Sequence, residues 1–231
     1  MPAPHPRHSR TRTAIGCLLA AGPGGPHGAL PQGVRRGWWQ RLIDHATDAD
    51  APEVQALAGV LATAWERHGL HQLPLTGLGA TATRHLLARW FPGLEADLRL
   101  DWRALAGADR DEPRADEIEE LVGLLTEQAA PAQSPVQREQ ALWIAHALAQ
   151  ASLGEDHLWQ DLHLPSRRQL SALMAQWFPA IAARNDRDMK WKKFLYRQLC
   201  DRAGLQICRA PSCGVCSDYA VCYGSEEAVT A

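Results

Sequence analysis

Four cysteines crowd into fifteen residues near the C-terminus: Cys208-Arg-Ala-Pro-Ser-Cys213-Gly-Val-Cys216-Ser-Asp-Tyr-Ala-Val-Cys222, a C-x4-C-x2-C-x5-C array. Thiolates are soft donors that suit zinc and iron–sulfur clusters. A regular helix would scatter these side chains around its circumference. A loop broken by Pro211 and Gly214 can instead wrap, so that four sulfurs converge on one centre. The C-x2-C pair grips one metal or one cluster edge, and the x4 and x5 spans reach around a larger object. Structural zinc sites pair two short knuckles across a longer gap. Here the first three cysteines share the C-x4-C-x2-C spacing of plant-type ferredoxins, although there the fourth lies much further away. The spacing therefore favours an iron–sulfur cluster over zinc, with disulfides or inert thiols as lesser alternatives.

Compartment bears on the same choice. Disulfide crowding belongs to small secreted domains that cannot bury a sufficient core, whereas 231 residues can bury one. Arg10, Arg12 and the apolar run Ala14–Ala21 superficially resemble an export signal, but eight residues are at the low limit for one. No run approaches the roughly 20 apolar residues of a membrane span. The expected location is the cytoplasm. Of the two remaining cysteines, Cys200 reads as a packing residue and Cys17 receives no role.

The net charge of −2 predicts neither nucleic-acid nor membrane-surface binding. It conceals an uneven distribution: residues 44–185 carry −9, while residues 186–209, beside the cysteines, carry +4. Asp188 to Cys200 reads as a helix with Trp191, Leu195 and Leu199 on its buried stripe. Lys190, Lys193 and Arg197 fall on another stripe. Cations there would oppose the negative charge of a thiolate-bound cluster and help hold an oxyanion such as molybdate. The plainer reading of each lysine is the wet face of an amphipathic helix.

The elements that must carry this loop are helical nearly throughout. Asp50-Ala-Pro-Glu53 and Ser134-Pro-Val-Gln137 are helix starts with a first-turn proline, and Pro113 opens another helix. Ser166-Arg-Arg-Gln169 is a capping box. Along 113–125, Ile118, Leu121, Val122 and Leu125 face inward, with Asp116, Glu117, Glu119 and Glu120 largely outward. No segment sustains two-residue alternation, so the fold class is all-α. Leu86-Leu-Ala-Arg-Trp-Phe-Pro92 echoes Leu173-Met-Ala-Gln-Trp-Phe-Pro179 at an offset of 87 residues, which is what a duplicated helix-pair unit, or chance and shared helix-ending chemistry, would produce. Nine tryptophans fit packing anchors of such a core. Residues 1–34 read as a disordered arm, and 35–231 as one helical domain ending in the cysteine loop 208–222.

Met189-Lys-Trp-Lys-Lys-Phe-Leu-Tyr-Arg-Gln-Leu-Cys200, Cys208 to Cys213, and Asp218-Tyr219 to Cys222-Tyr-Gly224 together resemble the C-terminal signature of the NifQ family. His157-Leu-Trp-Gln-Asp-Leu162, Arg168-Gln-Leu-Ser171 and Phe178-Pro179 are similar to it too, so the likeness covers about residues 140–224. The resemblance implies a cytoplasmic protein of nitrogen-fixing bacteria that carries a Mo–Fe–S cluster, or a [4Fe–4S] precursor, and supplies molybdenum for the iron–molybdenum cofactor. It implies the scaffold NifEN and the iron protein NifH as partners, and Cys208, Cys213, Cys216 and Cys222 as cluster ligands. Molybdenum in a cubane wants further oxygen or imidazole donors, for which His157, His163 and Asp161 are the candidates. No phosphate loop, nucleophile elbow or H-E-x-x-H is present, which favours a carrier over a turnover enzyme. A zinc-stabilised interaction module and a simple Fe–S redox protein are the competing readings.

Overall fold

Two helices, α2 (Pro52–His68) and α7 (Pro135–Ser152), are apolar around most of their circumference, and a helix of that kind belongs inside. Both are rich in alanine, which lets neighbouring backbones approach. In the computed structural model they pack against each other, and the other helices are laid around them. The structure describes residues 32–107, 112–131, 134–205, 208 and 213–226. Most of the expected N-terminal arm, with Cys17, lies outside the described residues, as does Pro211 of the cysteine loop.

The remaining helices are α1 (Gln32–Asp44), α3 (Ala80–Trp90), α4 (Leu94–Asp97), α5 (Trp102–Leu105), α6 (Ala115–Glu127), α8 (Leu158–Asp161), α9 (Arg167–Trp177), α10 (Pro179–Arg184), α11 (Trp191–Arg202) and α12 (Tyr219–Tyr223). No strand occurs among the described residues, so the fold is all-α. Helix α1 crosses the boundary drawn at residue 34. No described helix is long and apolar enough to cross a membrane.

Most starts follow the sequence. Pro52 and Pro135 occupy the first turns of α2 and α7, and Ser134 Oγ accepts the Gln137 amide at 3.2 Å. Ser166 Oγ accepts the Gln169 amide at 3.3 Å, but the reciprocal half of that capping box does not form, and Gln169 Oε1 is left buried without a partner. The cap of α2 is Ala51, not Asp50, and α6 begins two residues after Pro113. Helix α11 starts at Trp191, because Asp188 turns back at φ +54°.

The echo at an offset of 87 residues is also an echo in structure. Helices α3 and α9 both end at a phenylalanine, Phe91 and Phe178, with φ −132° and ψ near 57°. Each phenylalanine is fully buried, and its amide closes on the carbonyl four residues back, Leu87 or Met174. Trp90 meets Trp143 edge-on at 5.2 Å, in the packing role expected of the tryptophans.

Glu117 departs from the sequence reading. It is buried, not outward, gripped by Arg114 (Nη2 to Oε1, 2.6 Å) and by the Tyr196 hydroxyl of α11. Only a carboxylate with two such partners is tolerated there. The network ties α6 to α11.

Gly59 of α2 faces the turn after α8, where a Cβ would stand 2.7 Å from the His163 Cβ and 2.7 Å from the Leu162 carbonyl. Because backbone lines that contact, Gly59→Ala is expected to lower unfolding free energy by about 1–3 kcal/mol in urea titration, whereas Gly123→Ala, with open space around it, should not.

Candidate metal centre

Helix α11 is seated by its first turn. The Asn185 side chain brackets Met189 through two 2.9 Å hydrogen bonds, and the Trp191 indole donates to Ser171 Oγ at 3.0 Å. Arg167, the first residue of α9, donates to the carbonyls of Asp188 (3.1 Å) and Met189 (3.0 Å) and to the Asp188 carboxylate (2.7 Å). Its other nitrogen reaches Glu226 at 2.6 Å. Glu226 lies four residues past Cys222, and its side chain is only 5% exposed. One guanidinium thus clamps both ends of the cysteine-bearing segment to the core.

The backbone completes the clamp. The Lys190 amide donates to the Cys222 carbonyl at 2.8 Å, laying α12 against the start of α11. Cys213 opens a 3-10 turn, Cys213–Val215, and Cys222 rides on α12, so the loop contains two short helical pieces where unbroken irregular chain was expected. Cys208 is exposed; Cys213, Cys216 and Cys222 are half-buried. All four are free thiols. Cys200 is buried in α11 and burial pushes its thiol up, in keeping with a packing role.

The four array thiols share one electrostatic neighbourhood. Cys222 is pushed up first by burial and then by the charges of Cys208, Cys213 and Cys216, with Lys193 opposing. Cys213 is pulled down by the Tyr223 hydroxyl, 3.5 Å from its sulfur, and by the Arg197 guanidinium at 3.9 Å, with Arg187 adding its charge. Burial and the Cys213 hydrogen bond push the Tyr223 phenol up to about 12, so it stays a donor toward the thiolate. Arg187 lies over the Tyr223 ring at 5.5 Å, and Tyr219 stacks on Tyr223 at 4.5 Å. Among the described residues no three His, Cys, Asp or Glu stand together as a site for a single ion. What fits a soft-metal cluster is the donor chemistry: four thiols backed by cations, which metal binding can draw together.

The expected cations thus divide. Arg197 faces Cys213, Lys193 acts on Cys222, and Lys190 holds the loop by its backbone. Of the three non-cysteine candidates, His157 has Nδ1 3.7 Å from Glu226, the residue that anchors the far end of the cysteine segment. Asp161 is ion-paired with Lys192, and burial nonetheless raises its carboxyl. His163 packs on α2, its Nε2 3.3 Å from Thr63 Oγ1. Arg167, Glu226, Tyr223, Arg187 and Lys192 escaped the sequence reading. Tyr223 stands directly after a cysteine and could have been weighed. Arg167 and Glu226 are 59 residues apart and meet only through the fold.

These features define a class: an all-α protein whose C-terminal thiols are set against a cationic helix. The NifQ family model matches residues 56–224. The chain is 39% identical to "Protein NifQ" of Azotobacter vinelandii over 168 residues, covering 70% of this chain and 84% of that one. It is 35% identical to "Protein NifQ" of Rhodobacter capsulatus over 175 residues, covering 74% and 90%. The chain belongs to the NifQ family, which serves molybdenum handling for the nitrogenase iron–molybdenum cofactor. No solved structure matches it.

A thiol with a lowered pKa carries more reactive thiolate at a given pH. In metal-free, reduced protein at about pH 8, iodoacetamide should label Cys213 before Cys222, as read by peptide mass spectrometry. Tyr223→Phe should slow labelling of Cys213; an unchanged rate would remove the tyrosine from the site.

Proposed function

We propose that the protein is a molybdenum–iron–sulfur cluster carrier that supplies molybdenum for assembly of the iron–molybdenum cofactor. Cys208, Cys213, Cys216 and Cys222 hold the cluster, or the [4Fe–4S] precursor onto which molybdenum is loaded. The observation that carries the reading is the seating of four free thiols in one electrostatic neighbourhood, against Arg197 and Lys193, in a NifQ-family chain. Soft thiolates suit iron and reduced molybdenum. Cations and the Tyr223 hydroxyl offset the charge that four thiolates accumulate.

The chain's own residues supply the rest. Arg167 and the Lys190 amide fix the cysteine segment on the core, so the cargo is presented at the surface on a rigid support. Val215, Tyr219 and Val221 are exposed around it. His157 is the non-cysteine ligand that best fits a molybdenum vertex, since Asp161 is already paired and His163 lies against α2. The receiving partners are the scaffold NifEN with NifH, in the cytoplasm, and carriage rather than turnover is the role.

Elemental analysis of anaerobically purified protein tests this. The expected result is brown protein containing iron, sulfide and, after growth on molybdate, molybdenum. Cys→Ser at any of the four positions should lower bound iron by at least about ten-fold. Colourless protein with zinc would establish the interaction-module reading instead. Iron and sulfide without molybdenum, even when molybdate is supplied, would establish a redox protein.

A further inference from the structure

Beside the cysteine segment lies a cavity of about 460 Å³ that the cluster ligands do not line. One wall is the start of α11, with Lys190, Lys192 and Lys193; the other is the approach to α8, with Glu155, Asp156 and His157; Val221 and Glu226 close the end nearest Cys222. We propose that this cavity binds a tetrahedral dianionic oxyanion, molybdate as cargo, next to the thiols. The proposal rests on the carrier reading for the identity of the cargo, but not for the site.

One lysine at the cap and two in the first turn oppose ordinary helix electrostatics. The N-terminus of a helix is its positive pole, where acidic side chains are favoured. Helix α11 has no acidic residue in its first turn and no side-chain cap, yet it places Lys190 at the cap and Lys192 and Lys193 in that first turn. An anion in the cavity removes that repulsion and gains the helix pole as well.

The carboxylates facing the cavity are accounted for one by one. Glu226 is neutralised by Arg167 at 2.6 Å, with His157 at 3.7 Å. Asp161, beneath the wall, takes Lys192, which also donates to the Gly154 carbonyl at 2.8 Å. A Cβ at Gly154 would meet the Asp161 carboxylate at 2.5 Å, so the glycine makes room for this pairing. Glu155 and Asp156 are exposed on the far wall, where water screens them as it screens the exposed Lys193, and Lys190 is half-buried. Two amines remain. Lys193 makes no hydrogen bond or ion pair among the described residues beyond its charge interaction with Cys222, and Lys190 Nζ makes one long contact to the Ala220 carbonyl at 3.4 Å. Lys190 and Lys193 are therefore the oxyanion donors, with the His157 ring beside them.

Equilibrium dialysis of the metal-free, full-length protein against sodium molybdate, with bound molybdenum measured by mass spectrometry, tests the site. The chain with all four array cysteines changed to Ser should bind molybdate as the parent does. Lys190→Ala/Lys193→Ala should weaken binding by at least about ten-fold, and Lys190→Arg/Lys193→Arg should restore it. Lys193 is exposed, so Lys193→Glu gives a charge-reversed variant that does not rely on the double change, and it should abolish binding. Retention of binding in the alanine pair or in Lys193→Glu, its loss with the cysteines, or none in the parent, would each overturn the proposal. Sulfate or phosphate competing as strongly as molybdate would overturn it too, by showing a general anion site. Iron uptake by the parent reports separately on the cluster, so either reading can fail alone.

Discussion

The join between the helical core and the cysteine segment depends on one guanidinium. Arg167 sits at the first position of α9, where α9 meets the end of α8, and its planar fork faces two ways. One nitrogen gathers the carbonyls and carboxylate at 188–189, which precede α11; the other gathers Glu226, beyond the last cysteine. With both ends held, the intervening chain must return to the same place, and the Lys190–Cys222 backbone bond is a consequence of that closure. Within it α11 is held by the buried Trp191, Phe194, Leu195 and Leu199, but the stretch after α11, with several glycines and half-exposed thiols, buries little apolar surface to order it. Polar anchors with fixed geometry do that instead.

The second constraint is charge. Four thiolates in one neighbourhood repel one another, which adds to the burial that chiefly pushes Cys222 up, and the fold answers with cations from α11 and the turn before it. Those cations in turn crowd the positive end of a helix, where lysines are disfavoured. Each charge is tolerated because of the next: Arg197 and Arg187 by Cys213 and Tyr223, Lys192 by Asp161, Arg167 by Glu226 and Asp188. The same logic explains why Asp161 is spent as a counter-ion, and not directed at the thiols.

How much of this was legible in the sequence follows from the range of each interaction. Period and caps are local, so Pro52, Ser134, Ser166 and the apolar stripe of α11 announced themselves. The thiols were legible because their spacing is local too. Lys190, Lys193 and Arg197 were legible as a run of cations beside the thiols, but the partition of tasks among them was not: Lys190 lies at the cap before α11, and only where the loop folds back does Arg197 meet Cys213 and Lys193 act on Cys222. Glu117 misled because a run of acids looks like a solvated face; nothing near it in sequence reveals that Tyr196, 79 residues away, needs it. Arg167 looked like a polar helix-start residue, and Lys192 like one lysine among three.

The two echoing segments, the first ending α3 and the second ending α9, differ in a way that bears on where the site lies. Helices α3 and α9 correspond residue for residue at the 87-residue offset and end in the same backbone geometry, so the two copies supply equivalent scaffolding. Their starts differ in one decisive respect. Where the second copy has Ser166 as cap and Arg167 as first residue, the first has Gly79 and Ala80. Leu70 and Pro74 occupy the positions of His157 and Asp161. The first copy therefore offers packing alone, whereas the second adds the polar hooks that seize the C-terminal segment. The hydrophobic periodicity common to both makes the fold, and a few polar residues found only in the second copy turn one end of it into a support for thiols.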